Sequence, residues 1–207
     1  MKHEAPYRHD PLPRADDKEE SDAEKKQTPL AMKLLESRSI LLSGPINSEL
    51  AQKVVAQLLI LDADDPEKPI KVFINSPGGA VDSGFAIYDM MRFVQAPVHT
   101  ICTGLAASAA TVILMGADEG HRYSLPNTRF MLHQPSSGMQ GQASDIEITA
   151  REIIRLRQRI NELLAAGTGK TVEQIFEDLN RDYWMPADAA VEYGLVDKVV
   201  TSASELA

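Results

Sequence analysis

At 207 residues, 43% hydrophobic and 25% charged, the chain has the make-up of one soluble globular domain with an appended tail, long enough to bury a sizeable core. A net charge of -9 and an aromatic content of 5% argue against nucleic acid as the main partner, because phosphates need a basic patch and bases need aromatic platforms. The single cysteine, Cys102, excludes an internal disulfide and any multi-cysteine zinc site.

No apolar run approaches the ~20 residues that a membrane span needs. The first residues hold no hydrophobic signal core, and their many acids do not suit a mitochondrial transit peptide, so a cytoplasmic location is expected. Residues 1–28 are polar, proline-bearing and dense in mixed charge. They carry too little apolar surface to offset their ordering entropy, and read as a disordered tail or a removable pro-segment ahead of a domain spanning 29–207.

"SILLSG" (Ser39 to Gly44) predicts a strand closed by glycine. "INSELAQKVVAQLLILDADDP" predicts a helix with Asn47 as N-cap, with Leu50, Val54, Leu58 and Leu61 on one face and Pro66 marking the stop. "IKVFI" (Ile70 to Ile74) predicts the next strand, "NSPGGAVDSG" a turn, and Phe85 to Val94 a helix. "APVHTICTG" predicts a third strand that buries Cys102; Leu105 to Ala107 read as a turn, and a helix starts near Ser108. Three strand–helix units in succession predict an α/β fold with a largely parallel sheet.

"HRYSLPNTRFML" predicts two short strands around Pro126-Asn127. From Ser144 to Ala166 runs one long helix, opened by a Ser144/Glu147 capping box and striped with Ile146, Ala150, Ile153, Ile160 and Leu164. The pattern leaves open whether it projects toward a neighbouring subunit or packs along its own core. "GTGKT" (Gly167 to Thr171) imitates a phosphate loop, but Leu164 stands where the first glycine belongs and a helix precedes it. Its glycines instead end one helix, and Thr171 with Gln174 caps the next.

Several chemistries lack their residues. There is no H-E-x-x-H, no cysteine pair, no G-x-G-x-x-G after a strand and no G-x-S-x-G, so neither a metal nor a cofactor is expected. Ser108 sits where a nucleophile can be presented, at a strand-to-helix turn among Ala106, Ala107, Ala109 and Ala110. Close helix packing explains those alanines equally well. In "NSPGGA", paired glycines after a buried strand permit unusual backbone angles and leave the Gly79 N–H unshielded, although plain turn chemistry explains them too. The two turns can face one crevice beyond the strand ends. His133 closes the apolar run "RFML", where a histidine taken alone is more often structural, yet it is the best-placed base: His3 and His9 lie in the tail, His99 in a strand pattern and His121 in a charged turn. Spacing leaves Asp178, Asp182 and Asp188 all open as the acid.

Together, "INSPGG", "AAS" followed by "HQP", "GQASDIEITAREI" and "RDYWMPADAAVEYGLVD", in that order between about Leu34 and Val200, resemble the ClpP family, the serine-peptidase subunit of the bacterial and organellar Clp protease. The resemblance implies a ClpP/crotonase-type fold of repeated strand–helix units with a projecting handle helix. It also implies Ser108 as nucleophile, His133 as base and then acid, Asp182 as the group orienting the imidazole, and the N–H groups of Gly79 and Ala109 as the oxyanion hole. Substrate is implied to lie as an added strand between the segment of Gly78, Ala80 and Val81 and that of Gly138, Met139 and Gln140.

The resemblance further implies two stacked heptameric rings around a closed chamber, with Arg181 coupling ring contact to triad alignment. An AAA+ unfoldase of the Clp type (ClpX-, ClpA- or ClpC-like) would feed in unfolded polypeptides. Four departures stand out: Ala109-Ala110 in place of methionine-glycine, one glycine in "PSSG" in place of two, Lys71 in place of a tyrosine, and "EKKQTPLAMKLLESRS" ahead of the first helix. The expectation is a serine endopeptidase of an ATP-dependent, self-compartmentalising protease. The alternatives are a mainly structural subunit that co-assembles with an active paralogue, and an acyl-CoA enzyme of the crotonase fold.

Overall fold

A computed structural model describes residues 30–136, 138 and 140–206; the expected tail and Met139 lie outside the described residues. These residues fall into two units, divided after Ser37. In the first, residues 30–36 form helix α1.

The second unit is built on a sheet whose strands are, in chain order, β1 (Ser39–Ser43), β2 (Ile70–Ser76), β3 (Val98–Ala107), β4 (Arg122–Ser124), β5 (Arg129–Leu132), β6 (Tyr183–Pro186) and β7 (Lys198–Val199). The main path β1-β2-β3-β4-β7 is parallel throughout. Helices α2 (Ser48–Asp64), α3 (Val81–Phe93) and α4 (Ala109–Leu114) return the chain between the early strands. In β2, Ile70, Val72, Ile74 and Ser76 are buried while Lys71 and Phe73 lie on the opposite, half-exposed face. Val54, Leu58 and Leu61 of α2 are buried with Ile87 and Met91 of α3. Each such aliphatic side chain contributes about 1.5–3 kcal/mol by leaving water.

Local signals set several boundaries. The Asn47 side chain accepts the Leu50 N–H and starts α2, as its sequence predicts, although Ala51 takes the buried place expected of Leu50. The Thr171 hydroxyl accepts the Gln174 N–H and starts α6 (Val172–Asp178), and α5 (Ala143–Thr168) ends at Gly169. Cys102 is fully buried in β3, and burial pushes its thiol pKa up.

Three expectations need correction. Helix α3 begins at Val81, not Phe85, and so contains Gly84; that glycine serves close packing, since a Cβ there would sit 3.3 Å from the Ala109 Cβ. Leu105 to Ala107 are strand, not turn, because β3 exchanges its partner β4 for β5 beyond Gly104 and keeps its ladder bonded. The Ser144/Glu147 capping box does not form: α5 starts at Ala143 behind Gln142, with no side-chain cap.

Within α5 the buried positions are Ile160, Asn161, Leu163, Leu164 and Ala165, all in its second half. The first half, where Ile146 and Ile153 continue the apolar stripe, stays exposed or half-exposed in the single chain. The later elements are tied to the sheet by Arg122. Its guanidinium pairs with Asp197 and donates to the carbonyls of Gly167 and Gly194, which joins β4 to the ends of α5 and α7 (Ala187–Tyr193).

Candidate active site

Strand register brings the polar residues together. Ala107, the last residue of β3, pairs with Met131 of parallel β5, so Ser108 and His133 emerge side by side at the strand ends. Strand β6 runs antiparallel to β5 with Tyr183 opposite Leu132, which places Asp182 next to His133. The result is a relay: His133 Nε2 lies 2.8 Å from Ser108 Oγ, and His133 Nδ1 lies 3.2 Å from Asp182 Oδ1. The tautomer with its proton on Nδ1 satisfies both contacts, accepting from the serine and donating to the carboxylate.

Of the other carboxylates left open by spacing, Asp178 accepts the Tyr193 hydroxyl proton at 2.7 Å and Asp188 sits in the first turn of α7. Burial and the Asp178 hydrogen bond raise the Tyr193 pKa, so that phenol stays protonated.

Ser108 adopts φ 56°, ψ -125°, a conformation that L-residues rarely hold. Its own N–H donates to Met131 O at 2.9 Å, and its carbonyl accepts the Thr111 N–H at 2.9 Å and the Thr111 hydroxyl at 2.6 Å. Opposite, Gly78 has φ 90° and Gly79 φ 154°, both outside the range a side chain tolerates. Ile46 bonds the Gly78 carbonyl and the Ala80 N–H, the groups on either side of Gly79. In a parallel bridge this turns the Gly79 N–H to the other side. Among the described residues, neither the Gly79 nor the Ala109 N–H donates a hydrogen bond.

A small cavity adjoins the serine. Val81, Ala109, Val112, Pro135, Ile160, Leu164 and Leu179 form its apolar wall, with Ser108, Thr111 and His133 at its polar edge. At about 20 Å³ it has room for one water, so a side chain can enter only if the walls part. Arg181 lies outside this cavity, beside His133 and Asp182 along an open depression. Gly138 and Gln140 line a different depression, with Asp145, Ile146 and Thr149.

Two supporting residues had no role in the sequence reading. Gln134 donates its backbone N–H to Leu179 O at 2.9 Å and its side-chain amide to Asn180 O at 3.2 Å, fastening the histidine loop to the aspartate loop. The Ser76 hydroxyl, fully buried, accepts the Gly78 N–H at 3.1 Å. Their only signal was adjacency to His133 and to the glycine pair.

With this geometry in place, comparison with known families yields a match between residues 21–203 and the family model described as Clp protease. The mixed α/β architecture, with its mostly parallel sheet, is that of the ClpP fold.

Proposed function

The chain belongs to the Clp protease family and is a ClpP-like peptidase, and from that premise we propose that it is a serine endopeptidase acting through Ser108, His133 and Asp182. Ser108 Oγ attacks the peptide carbonyl while His133 Nε2 takes its proton. The Asp182 carboxylate accepts the Nδ1 proton and stabilises the imidazolium. The N–H groups of Gly79 and Ala109 donate to the oxyanion of the tetrahedral intermediate, where losing one donor costs about 2.7–4 kcal/mol. His133 then protonates the leaving amine, and water releases the acyl-enzyme. The observation that carries this reading is the pair of contacts on one imidazole, 2.8 Å to Ser108 and 3.2 Å to Asp182.

Once its walls part, the apolar cavity beside Ser108 favours an apolar side chain on the acyl side of the cleaved bond. Substrate backbone lies as an added strand between Gly78, Ala80 and Val81 on one side and Gly138 and Gln140 on the other, which makes recognition tolerant of side chains. The exposed first half of α5 serves as the contact between two stacked heptameric rings, with Arg181 linking that contact to the relay. A Clp-type AAA+ unfoldase supplies unfolded polypeptides in the cytoplasm. Among the described residues, no helix is long and apolar enough to cross a membrane.

The test is turnover of a fluorogenic peptide series with leucine, methionine, aspartate or lysine before the scissile bond. Leucine and methionine are expected to be cleaved fastest, with turnover falling about six orders of magnitude in Ser108→Ala. Equal cleavage by wild type and Ser108→Ala overturns the assignment. Cleavage that appears only when an active paralogue is supplied assigns the chain the structural role instead.

A further inference from the structure

We propose that the Thr111 hydroxyl positions and polarises the oxyanion-binding N–H of Ala109, a role that rests on the Ser108–His133–Asp182 reading above. Thr111 is 2% exposed, and a hydroxyl so buried needs a hydrogen-bond partner. Its partner is the Ser108 carbonyl oxygen, at 2.6 Å, which also accepts the Thr111 N–H at 2.9 Å. That oxygen belongs to the peptide group joining Ser108 to Ala109. In a planar trans peptide the C=O and N–H point in opposite directions, so holding the oxygen aims the Ala109 N–H.

The holding matters because of where it is applied. Ser108 is strained, at φ 56° and ψ -125°, and its flanking peptide groups relax unless each is fixed. The preceding peptide is held by the Ser108 N–H to Met131 O; the following one is held by two donors of Thr111, its N–H and its hydroxyl. Two donors on one carbonyl also draw electron density from its amide nitrogen and make the N–H a stronger donor. A threonine that bonds back along an ordinary helix only satisfies itself. Here the accepting carbonyl shares its peptide group with a donor of the proposed oxyanion hole, so the same bond acts on the intermediate. Thr111 is a positioning residue and touches no reacting atom in this scheme.

The test compares Thr111→Val, which keeps the shape and removes the hydroxyl, with Thr111→Ser, which keeps the hydroxyl. Two ligands report on the hole: a peptide aldehyde, which becomes tetrahedral on Ser108, and the matching peptide alcohol, which does not. Thr111→Val is expected to lower kcat about tenfold, roughly an order less than deleting a donor outright, with KM within about twofold. Its aldehyde affinity should fall by a similar factor while alcohol affinity holds, and Thr111→Ser should behave as wild type. If Thr111→Val does not assemble, Thr111→Ala against Thr111→Ser makes the same comparison. Equal behaviour of the hydroxyl-bearing and hydroxyl-free variants, or parallel losses of aldehyde and alcohol binding, overturns the role. A fully active Ser108→Ala defeats the underlying reading; a dead Ser108→Ala beside a normal Thr111→Val defeats this inference alone.

Discussion

A Cβ built on Gly78 would lie 2.6 Å from the Cβ of Ser108 and 2.6 Å from the carbonyl oxygen of Ala107. The glycine turn and the serine turn are therefore packed backbone to backbone, with no room between them for a side chain on Gly78. Gly78→Ala is expected to push Ser108 out of line and add strain at φ 90°, for a stability loss of about 1–3 kcal/mol. Peptide turnover should fall at least about a hundredfold. Steady-state kinetics beside thermal melting will check it, and a folded variant of normal turnover would contradict the packing argument.

Asp182 is 63% exposed on its side chain and contacts His133 at 3.2 Å. Water can share the work of a carboxylate this open, so Asp182→Asn should cost less than the roughly 10⁴-fold loss known for a buried triad aspartate. A loss of about 10²–10³ in kcat, with KM little changed, is the expectation. The measurement is a full kcat and KM determination. An unchanged kcat would remove Asp182 from the relay.

Acid should weaken the fold through the His99–His121 stack, whose rings lie 3.9 Å apart and parallel within 1°. Burial first, then the neighbouring His121, hold the His99 pKa below its ordinary 6.5; Lys71 lowers it further, and Asp118 opposes. The unfolded chain therefore takes up a proton that the folded one refuses. The stabilisation is complete above about pH 6.5 and is lost as pH falls below it. The thermal midpoint should drop between about pH 7.5 and pH 5.5, and less so in His99→Phe. Identical pH slopes for the two proteins would rule the stack out.

Ile148 and Ile154, 59% and 67% exposed, project from the half of α5 that holds no fully buried residue. Ile154→Glu is expected to leave subunit stability within about 0.5 kcal/mol, as for other surface changes. In native mass spectrometry it should shift the protein to a smaller assembly. A variant that keeps the wild-type mass would place the subunit contact elsewhere.

What the sequence made legible was local chemistry. Asn47 and Thr171 cap helices as their types predict, and "IKVFI" forms the strand it predicts. Long-range pairing was not legible. Gly104 reads as the end of a strand, yet the ladder continues to Ala107 because β5 waits on the far side. Gly84 reads as turn, yet it permits α3 to approach α4. Ser144 has the composition of a cap but lies one residue inside the helix, so its side chain caps nothing. The same limit applied to the acid: residue type offered three aspartates, the resemblance implied Asp182, and the β5–β6 register sets that residue beside His133.

The most direct test is intact-mass analysis after a fluorophosphonate treatment, with the adduct mapped by peptide sequencing. One adduct per chain on Ser108, absent in His133→Ala, is the predicted result, because the alkoxide forms only with a base at 2.8 Å. A protein that cleaves peptides but carries no adduct on Ser108, or one labelled equally fast without His133, would contradict the account.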